Sequence, residues 1–138
     1  MATPSITVRL RGPFFSTNIP PVIVGALDAA IADGAAEGEG DIKIMANPRP
    51  RGVFHSAVYA QAHGYRQTGR YHRGVIGEMV RSLHGRVHDS NAIYGPWLES
   101  GGGRFKGYAM FRKATQQLGR KMRGFLNDRV QQALARIR

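Results

Sequence analysis

"PPVIVGALDAAIADGAAEGEGDIKIMA", residues 20–46, decides how the first half of the chain is built. Its two prolines fit the first turn of a helix, and Asn18 just upstream can cap it. Ile23, Leu27, Ala30 and Ile31 then fall on one side at helical spacing. The glycines of "DGAAEGEGD" dissolve that pattern, so the helix is expected near 19–36. Beyond them "DIKIMA" (41–46) alternates and reads as a short strand. The apolar run 19–32 is too short to span a membrane and contains Asp28, which points to a soluble protein.

Upstream, "SITVRLR" (5–11) sets Ile6, Val8 and Leu10 on one face and Thr7, Arg9 and Arg11 on the other, a period-two strand that Gly12 and Pro13 stop. Downstream, "NPRPRG" (47–52) is a loop, because closely spaced prolines fit neither a helix interior nor a central strand. "VFHSAVYAQA" (53–62) fits a strand or a short helix, and "GYRQTGRYHRG" (64–74) is rich in turns. "VIGEMVRSLHGRVHDS" (75–90) reads as two strands joined near Gly85. "AIYGPWLES" (92–100) is an aromatic element broken at Gly95-Pro96, and "GGGRFKG" (101–107) is a loop.

The clearest element closes the chain. From Tyr108 to Arg138, Phe111, Ala114, Leu118, Met122, Phe125, Ala133, Leu134 and Ile137 recur mainly three or four residues apart, with arginines and lysines mostly elsewhere. This is an amphipathic helix with a basic face, weakened by Gly119 and Gly124 at about 1 kcal/mol each relative to alanine. The expected fold is α+β: a small, mainly antiparallel sheet with an N-terminal helix and a long C-terminal helix packed on it. A length of 138 residues fits one domain, with a sheet-rich body over 1–107 and the basic helix over 108–138.

Cysteine is absent, which excludes disulfides, thiolate metal sites and a cysteine nucleophile. The start of the chain lacks the basic-then-apolar order of a secretory signal. The net charge of +11 is unevenly spread. Residues 1–103 hold ten Lys/Arg against eight Asp/Glu, whereas residues 104–138 hold ten against Asp128 alone. A segment of that kind seeks a polyanion: nucleic acid, an acidic protein surface or a membrane face.

Catalytic patterns are thin. All five histidines lie between 55 and 88, and His84 and His88 are four apart, a ligand spacing on a helix, with Asp89, His72 or Glu99 as a third ligand. "LHGRVH" reads as a strand turn, however, where that spacing loses its meaning. Glu78, Asp89 and Glu99 are not paired by the sequence, no G-x-S-x-G elbow occurs, and "SGGGRFKG" lacks the spacing of a phosphate-binding loop. The expectation is a protein without catalytic residues or cofactor. Nucleic-acid contact is the stronger chemistry: Phe105 and Tyr108 lie among Arg104, Lys106, Arg112, Lys113, Arg120, Lys121 and Arg123, which can contact phosphates. The same residues also suit a solvated helix face.

Taken in order, "QTGRYHRGVIGEMV", "GRVHDSNAIYGPWLESGGGRFKGYAMFRKATQQL" and the spacing between them resemble the small head–tail joining and tail-completion (neck) proteins of long-tailed bacteriophages. That family shows a "TG-x-L-x-x-S-I" stretch, then "Y-A-x-Y-x-E-F-G-T", then "P-F-x-x-P-A" opening a C-terminal helix. Thr68 and Gly69 fit the first motif, with Tyr71 at the apolar position and Gly74 and Val75 at the serine–isoleucine pair. Tyr94, Trp97, Glu99 and Gly101 fit the second, with Ser100 for the aromatic and Gly102 for the threonine. Met110, Phe111 and Ala114 fit the third, with Lys113 where proline is usual. The resemblance covers residues 65–120.

It implies a virion protein made in the host cytoplasm, a homo-oligomeric ring at the head–tail junction through which DNA passes. Its partners would be copies of itself, neighbouring connector, tail-terminator or tail-tube proteins, and genomic DNA, with no membrane involved. The expected subunit interface is Tyr94, Trp97, Leu98, Glu99, Phe105 and Phe111, with Glu99 pairing to an arginine of a neighbouring subunit. The expected polyanion contacts are the seven arginines and lysines from Arg104 to Arg123 named above. A free, sequence-nonspecific nucleic-acid-binding protein is the alternative.

Overall fold

Alternation at the start of the chain is realised as strand β1 (Ser5–Arg9), with Ile6 buried and Ser5, Thr7 and Arg9 exposed. A computed structural model describes residues 3–12, 15, 18–48, 51–64, 69–90 and 95–137; Thr68 and Tyr94 lie outside them. After β1 come helix α1 (Pro21–Met45), short helices α2 (Ala57–Ala62) and α3 (Arg70–Gly74), strands β2 (Val75–Arg81) and β3 (His84–Asp89), short helix α4 (Gly95–Ser100) and long helix α5 (Met110–Ile137). The fold is α+β. Its three-stranded antiparallel sheet has the order β1–β3–β2, with Ile6 opposite Val87 and Gly77 opposite Val87 on the other side.

α1 does not stop at the glycines. It runs for 25 residues through "DGAAEGEGD", so the strand expected at 41–46 is instead the end of a helix. Leu27, Ala30, Ile31, Gly34, Ala35, Gly38 and Ile42 form one buried stripe that continues across the glycines. Gly34 and Gly38 belong to that stripe because neighbours come too close for a side chain. A Cβ on Gly34 would overlap Met122 Sδ of α5. One on Gly38 would lie 3.0 Å from Val87 Cγ2 and 3.7 Å from both Ile6 Cδ1 and Leu118 Cδ2. A glycine normally weakens a helix interior; packing on two sides outweighs that here. The helix starts at an N-cap of Pro20, not Asn18, and the Pro20 carbonyl accepts hydrogen bonds from Ile23 N (2.9 Å) and Val24 N (3.1 Å).

The β2–β3 hairpin turns at Ser82–Leu83, not near Gly85, which lies inside β3. Leu83 takes a φ of 60°, in the left-handed region. It is held there by Asp28 of α1, whose carboxylate accepts from Leu83 N at 2.7 Å and from Ser82 Oγ at 3.0 Å. Gly85 and Gly77 face α1: a Cβ on Gly85 would lie 2.7 Å from Ile31 Cγ2, and one on Gly77 would overlap the Ala35 carbonyl. Gly77 N also donates to Glu39 at 2.8 Å. Burial pushes the Glu39 carboxyl up, but the hydrogen bonds from Lys43 and Gly77 outweigh it and leave the group below its ordinary value.

α5 packs antiparallel along α1, which covers the inner face of the sheet, and α5 reaches the sheet mainly at β1. Leu118 and Met122 sit on Gly38 and Gly34, while Arg129 donates to Asp33 at 2.7 and 2.9 Å nearer the start of α1. Ile31, Ile42, Val75, Val87 and Met110 are fully buried at the centre. Of the apolar stripe expected on α5, Phe111, Ala114, Leu118 and Ala133 are buried and Met122 and Phe125 half-buried, whereas Leu134 and Ile137 stay exposed. Among the described residues, no helix is long and apolar enough to cross a membrane.

Gly77→Ala is expected to lower stability by about 1–3 kcal/mol through overpacking against α1. Gly25→Ala, on an exposed part of α1 with nothing within 4 Å, is expected to raise it by about 0.5–1 kcal/mol. Urea midpoints of both variants check this. The Arg129 hydrogen bonds hold the Asp33 carboxyl below its ordinary value. That contribution is complete at neutral pH and fades as pH falls below the unfolded value through the folded one. The stability lead of the wild type over Asp33→Asn should therefore shrink as pH falls below ~4, as urea midpoints at neutral pH and at successively lower pH will report.

Candidate functional site

Residues 95–112 form a tied joint between the sheet and α5. α4 begins at Gly95, with Pro96 in its first turn, so the dipeptide opens an element and does not break one. Gly95 lies against the Asp89 carboxylate, where a side chain would collide. After α4 the chain folds back on itself: Tyr108 N donates to Leu98 O at 2.7 Å and Ala109 N to Glu99 O at 3.1 Å. Between these ties, Gly102 and Phe105 exchange backbone bonds of 2.9 and 3.1 Å around a turn at Gly103-Arg104. Gly101 (φ 78°) and Gly107 (φ 82°) adopt left-handed backbone, and their Cα atoms lie against each other's segments so closely that no Cβ fits. "GGGRFKG" is therefore a fixed turn in which Gly101, Gly103 and Gly107 hold left-handed backbone.

Glu99 completes the joint. Its carboxylate accepts from Phe111 N and Arg112 N, both at 3.0 Å. These are two of the otherwise unpaired amides in the first turn of α5, which also carries the positive end of the helix dipole. A residue from the preceding helix thus does the work of an N-cap. Glu99, expected to pair with an arginine of a neighbouring subunit, is thus engaged within its own chain by these two amides.

The remaining interface candidates divide. Leu98 (9% exposed) and Phe111 (3%) are core residues, packed with Met110 and Tyr71, and offer nothing to a partner. Trp97 is 46% exposed and stacks on half-buried Phe105 with ring centroids 4.3 Å apart. From Phe105, edge-to-face contacts run inward through Tyr108 (5.0 Å) and Phe54 (5.5 Å) to buried Tyr71 (6.2 Å). Tyr94 lies outside the described residues.

Arg104, Lys106, Arg112, Lys113, Arg120 and Arg123 are exposed, as expected. Lys121 is engaged within the chain, by Glu37 and by Asp41 at 3.7 Å, and the Glu37 bond is the main cause of its raised pKa. α1 carries five acids, Asp28, Asp33, Glu37, Glu39 and Asp41, and two of them with Asp33 meet α5 directly. The positive charge concentrated at the end of the sequence is thus partly neutralised in space. A shallow depression of about 770 Å³ lies on the outer face of α5, lined by Arg120, Arg123, Gly124, Leu126, Asn127 and Val130.

A second charged region lies on the outer face of the sheet. Three cross-strand rows cover it: Arg9–His84–Arg81, Thr7–Arg86–Glu78 and Ser5–His88–Ile76. Glu78 binds Arg86 (2.9 Å) and His88 (3.0 Å), and these contacts, Arg86 foremost, hold its carboxyl below the ordinary value. A groove of about 510 Å³ runs beside these rows and is lined by Arg9, His84, Arg86 and His88 among others. His84 and His88 sit on a strand, and no group of three metal-binding side chains occurs among the described residues. Sequence reasoning missed this face as a site. The outward alternation of Thr7, Arg9 and Arg11 was its one visible signal.

Comparison with protein-family models, with curated proteins and with solved structures finds no match to the chain.

Glu99→Ala should cost about 0.5–2 kcal/mol, the usual worth of a helix cap. Hydrogen exchange should quicken at Phe111 and Arg112 while the β1–β3 amides keep their protection. Unchanged exchange at those two amides would remove Glu99 from the capping role.

Proposed function

We propose that the protein is a structural subunit of a tailed-phage virion, a connector or tail-completion component that forms a homo-oligomeric ring at the head–tail junction. The observation that carries this reading is the half-exposed Trp97–Phe105 stack on a joint fixed by three backbone ties and the Glu99 carboxylate. A large aromatic held in one orientation loses little conformational entropy on docking, which is what a recurring subunit contact needs. Ring closure further demands that each subunit meet the next at a set angle. A braced aromatic meets that demand better than a flexible one.

The residues behind the resemblance also support it. Trp97, Glu99, Gly101, Met110, Phe111 and Ala114 all belong to this joint or to the helix that it launches. The role is geometric, with no bond-making step. Neighbouring rings and the DNA in the channel are the partners, and the protein resides in the virion neck. The exposed cations Arg104, Lys106, Arg112, Lys113, Arg120 and Arg123 favour a second reading, a free protein that binds nucleic acid without sequence preference.

Native mass with negative-stain imaging tests the reading. A closed ring with an open channel is expected, and Trp97→Ala should shift it toward smaller species while the monomer stays folded, with a thermal midpoint lower by only about the few degrees that loss of the Phe105 stack costs. A protein that stays monomeric alone and with neck components, yet binds DNA tightly, would favour the second reading. Loss of the monomer fold in Trp97→Ala would make Trp97 a core residue.

A further inference from the structure

We infer that the outer face of the β1–β3–β2 sheet, and not the basic face of α5, is the surface that meets the phosphodiester backbone of duplex DNA. The inference deepens the connector reading by naming which side of the subunit turns toward the nucleic acid, and it rests on that reading for the presence of DNA.

Three observations carry it. First, positive charge converges on the sheet. Arg9, Arg81 and Arg86 lie in adjacent cross-strand positions, Arg11 follows directly, and Glu78 is the acid within those rows. Arg86 is held by Glu78 there, as Lys121 and Arg129 of α5 are held by acids of α1, and Arg9, Arg11 and Arg81 add their charge beside it. DNA carries one negative charge per ~1.7 Å of duplex and rewards this kind of clustering.

Second, the sheet holds an unmet polar group. His84 is more than nine-tenths buried, lines the groove, and its Nδ1 has no hydrogen-bond partner in the structure. It sits between Arg9 and Arg81 in register. A buried ring nitrogen without a partner is costly, so a contact that satisfied it would be favoured. A phosphate in the groove supplies countercharge to Arg9 and Arg81, and a small turn of the His84 ring toward the groove would offer it a donor.

Third, the described residues of this face include no Phe, Tyr or Trp to anchor a protein partner. Protein interfaces centre on aromatic and large apolar anchors. Here the β1 and β3 rows offer Ser5, Thr7, arginines and histidines, with apolar Ile76 and Val80 only on β2. Hydroxyls and guanidinium groups are the common donors to phosphate oxygens.

The proton balance of His84 follows. In the free protein, burial first, and then the charges of Arg9, Arg81, Arg11 and Arg86, lower its pKa and keep the ring neutral. His88 and Glu78 share the same face, and Asp28 of α1 is committed to the nearby hairpin turn. A bound phosphate favours the protonated ring, so binding takes up a proton and affinity rises as pH falls through the histidine range.

The test is fluorescence anisotropy of the full-length protein with a short labelled duplex of arbitrary sequence, across a salt series. Arg9→Ala/Arg81→Ala should weaken binding at least tenfold and reduce the salt slope by about 2, close to one unit per lost phosphate contact. Arg120→Ala/Arg123→Ala should leave affinity within about threefold. Circular dichroism of both pairs confirms that each remains folded. Equal losses from the two pairs, loss from the α5 pair alone, no duplex binding by the wild type, or displacement of the duplex by poly-glutamate at equal charge would each overturn the inference. NMR titration of the His84 ring should give a midpoint that rises when duplex is added, and an unmoved midpoint counts against it. Native mass of the same samples separates the two claims. Rings whose DNA binding ignores the sheet overturn this inference alone. Sheet-dependent binding by a protein that never forms rings overturns the connector reading and leaves this one standing.

Discussion

Everything in the fold is built around the narrow seam of α1. Gly34, Ala35 and Gly38 present so little bulk that α5 and the sheet both reach the helix backbone region at one level. Val87 and Ile6 approach Gly38 from the sheet, and Leu118 approaches it from α5. Gly77 and Gly85 reciprocate on the sheet side by letting α1 lie close over β2 and β3. Larger residues at these positions would push three elements apart at once. Interiors packed at crystal-like density absorb such changes poorly.

The joint at residues 95–112 extends that rigidity to the surface. Glu99 ties the first turn of α5 to α4, so the direction of the longest helix is set by the residue two positions after Trp97. The aromatic chain from Trp97 through Phe105, Tyr108 and Phe54 to Tyr71 then links an exposed ring to a buried one. A force or contact on Trp97 is met by the core and not by a loose loop. This is why residues that look alike in the sequence separate in the structure: Leu98 and Glu99 hold the mount, while Trp97 is what the mount displays.

Local periodicity made β1 and α5 legible, since both are amphipathic over their whole length and their spacing needs no distant partner. The elements misread are those whose logic is long-range. Glycine in α1 looked like a stop because its purpose lies in Met122 and Val87, far along the chain. The hairpin turn fell at Leu83 because Asp28, 55 residues earlier, holds that backbone. Glu99 read as a partner for another subunit's arginine because the groups it binds in its own chain are amides rather than side chains. Lys121 looked free because Glu37 lies 84 residues away. The cationic sheet face emerges only when the register of β1 against β3 brings Arg9 beside His84.

The same long-range seam has a bearing on synthesis. Arg129 meets Asp33 across 96 residues, and β1 meets β3 across nearly the whole body, whereas β2 and β3 are neighbours in sequence. Contacts of such separation form late, after the entropy of closing long loops has been overcome. A nascent chain that has emerged through β3 can make its hairpin and lay it on α1, yet one flank of that helix has no cover. Until α5 leaves the ribosome, the small-residue flank of α1 that Leu118 and Met122 cover stays bare, so α5 is the element that closes it.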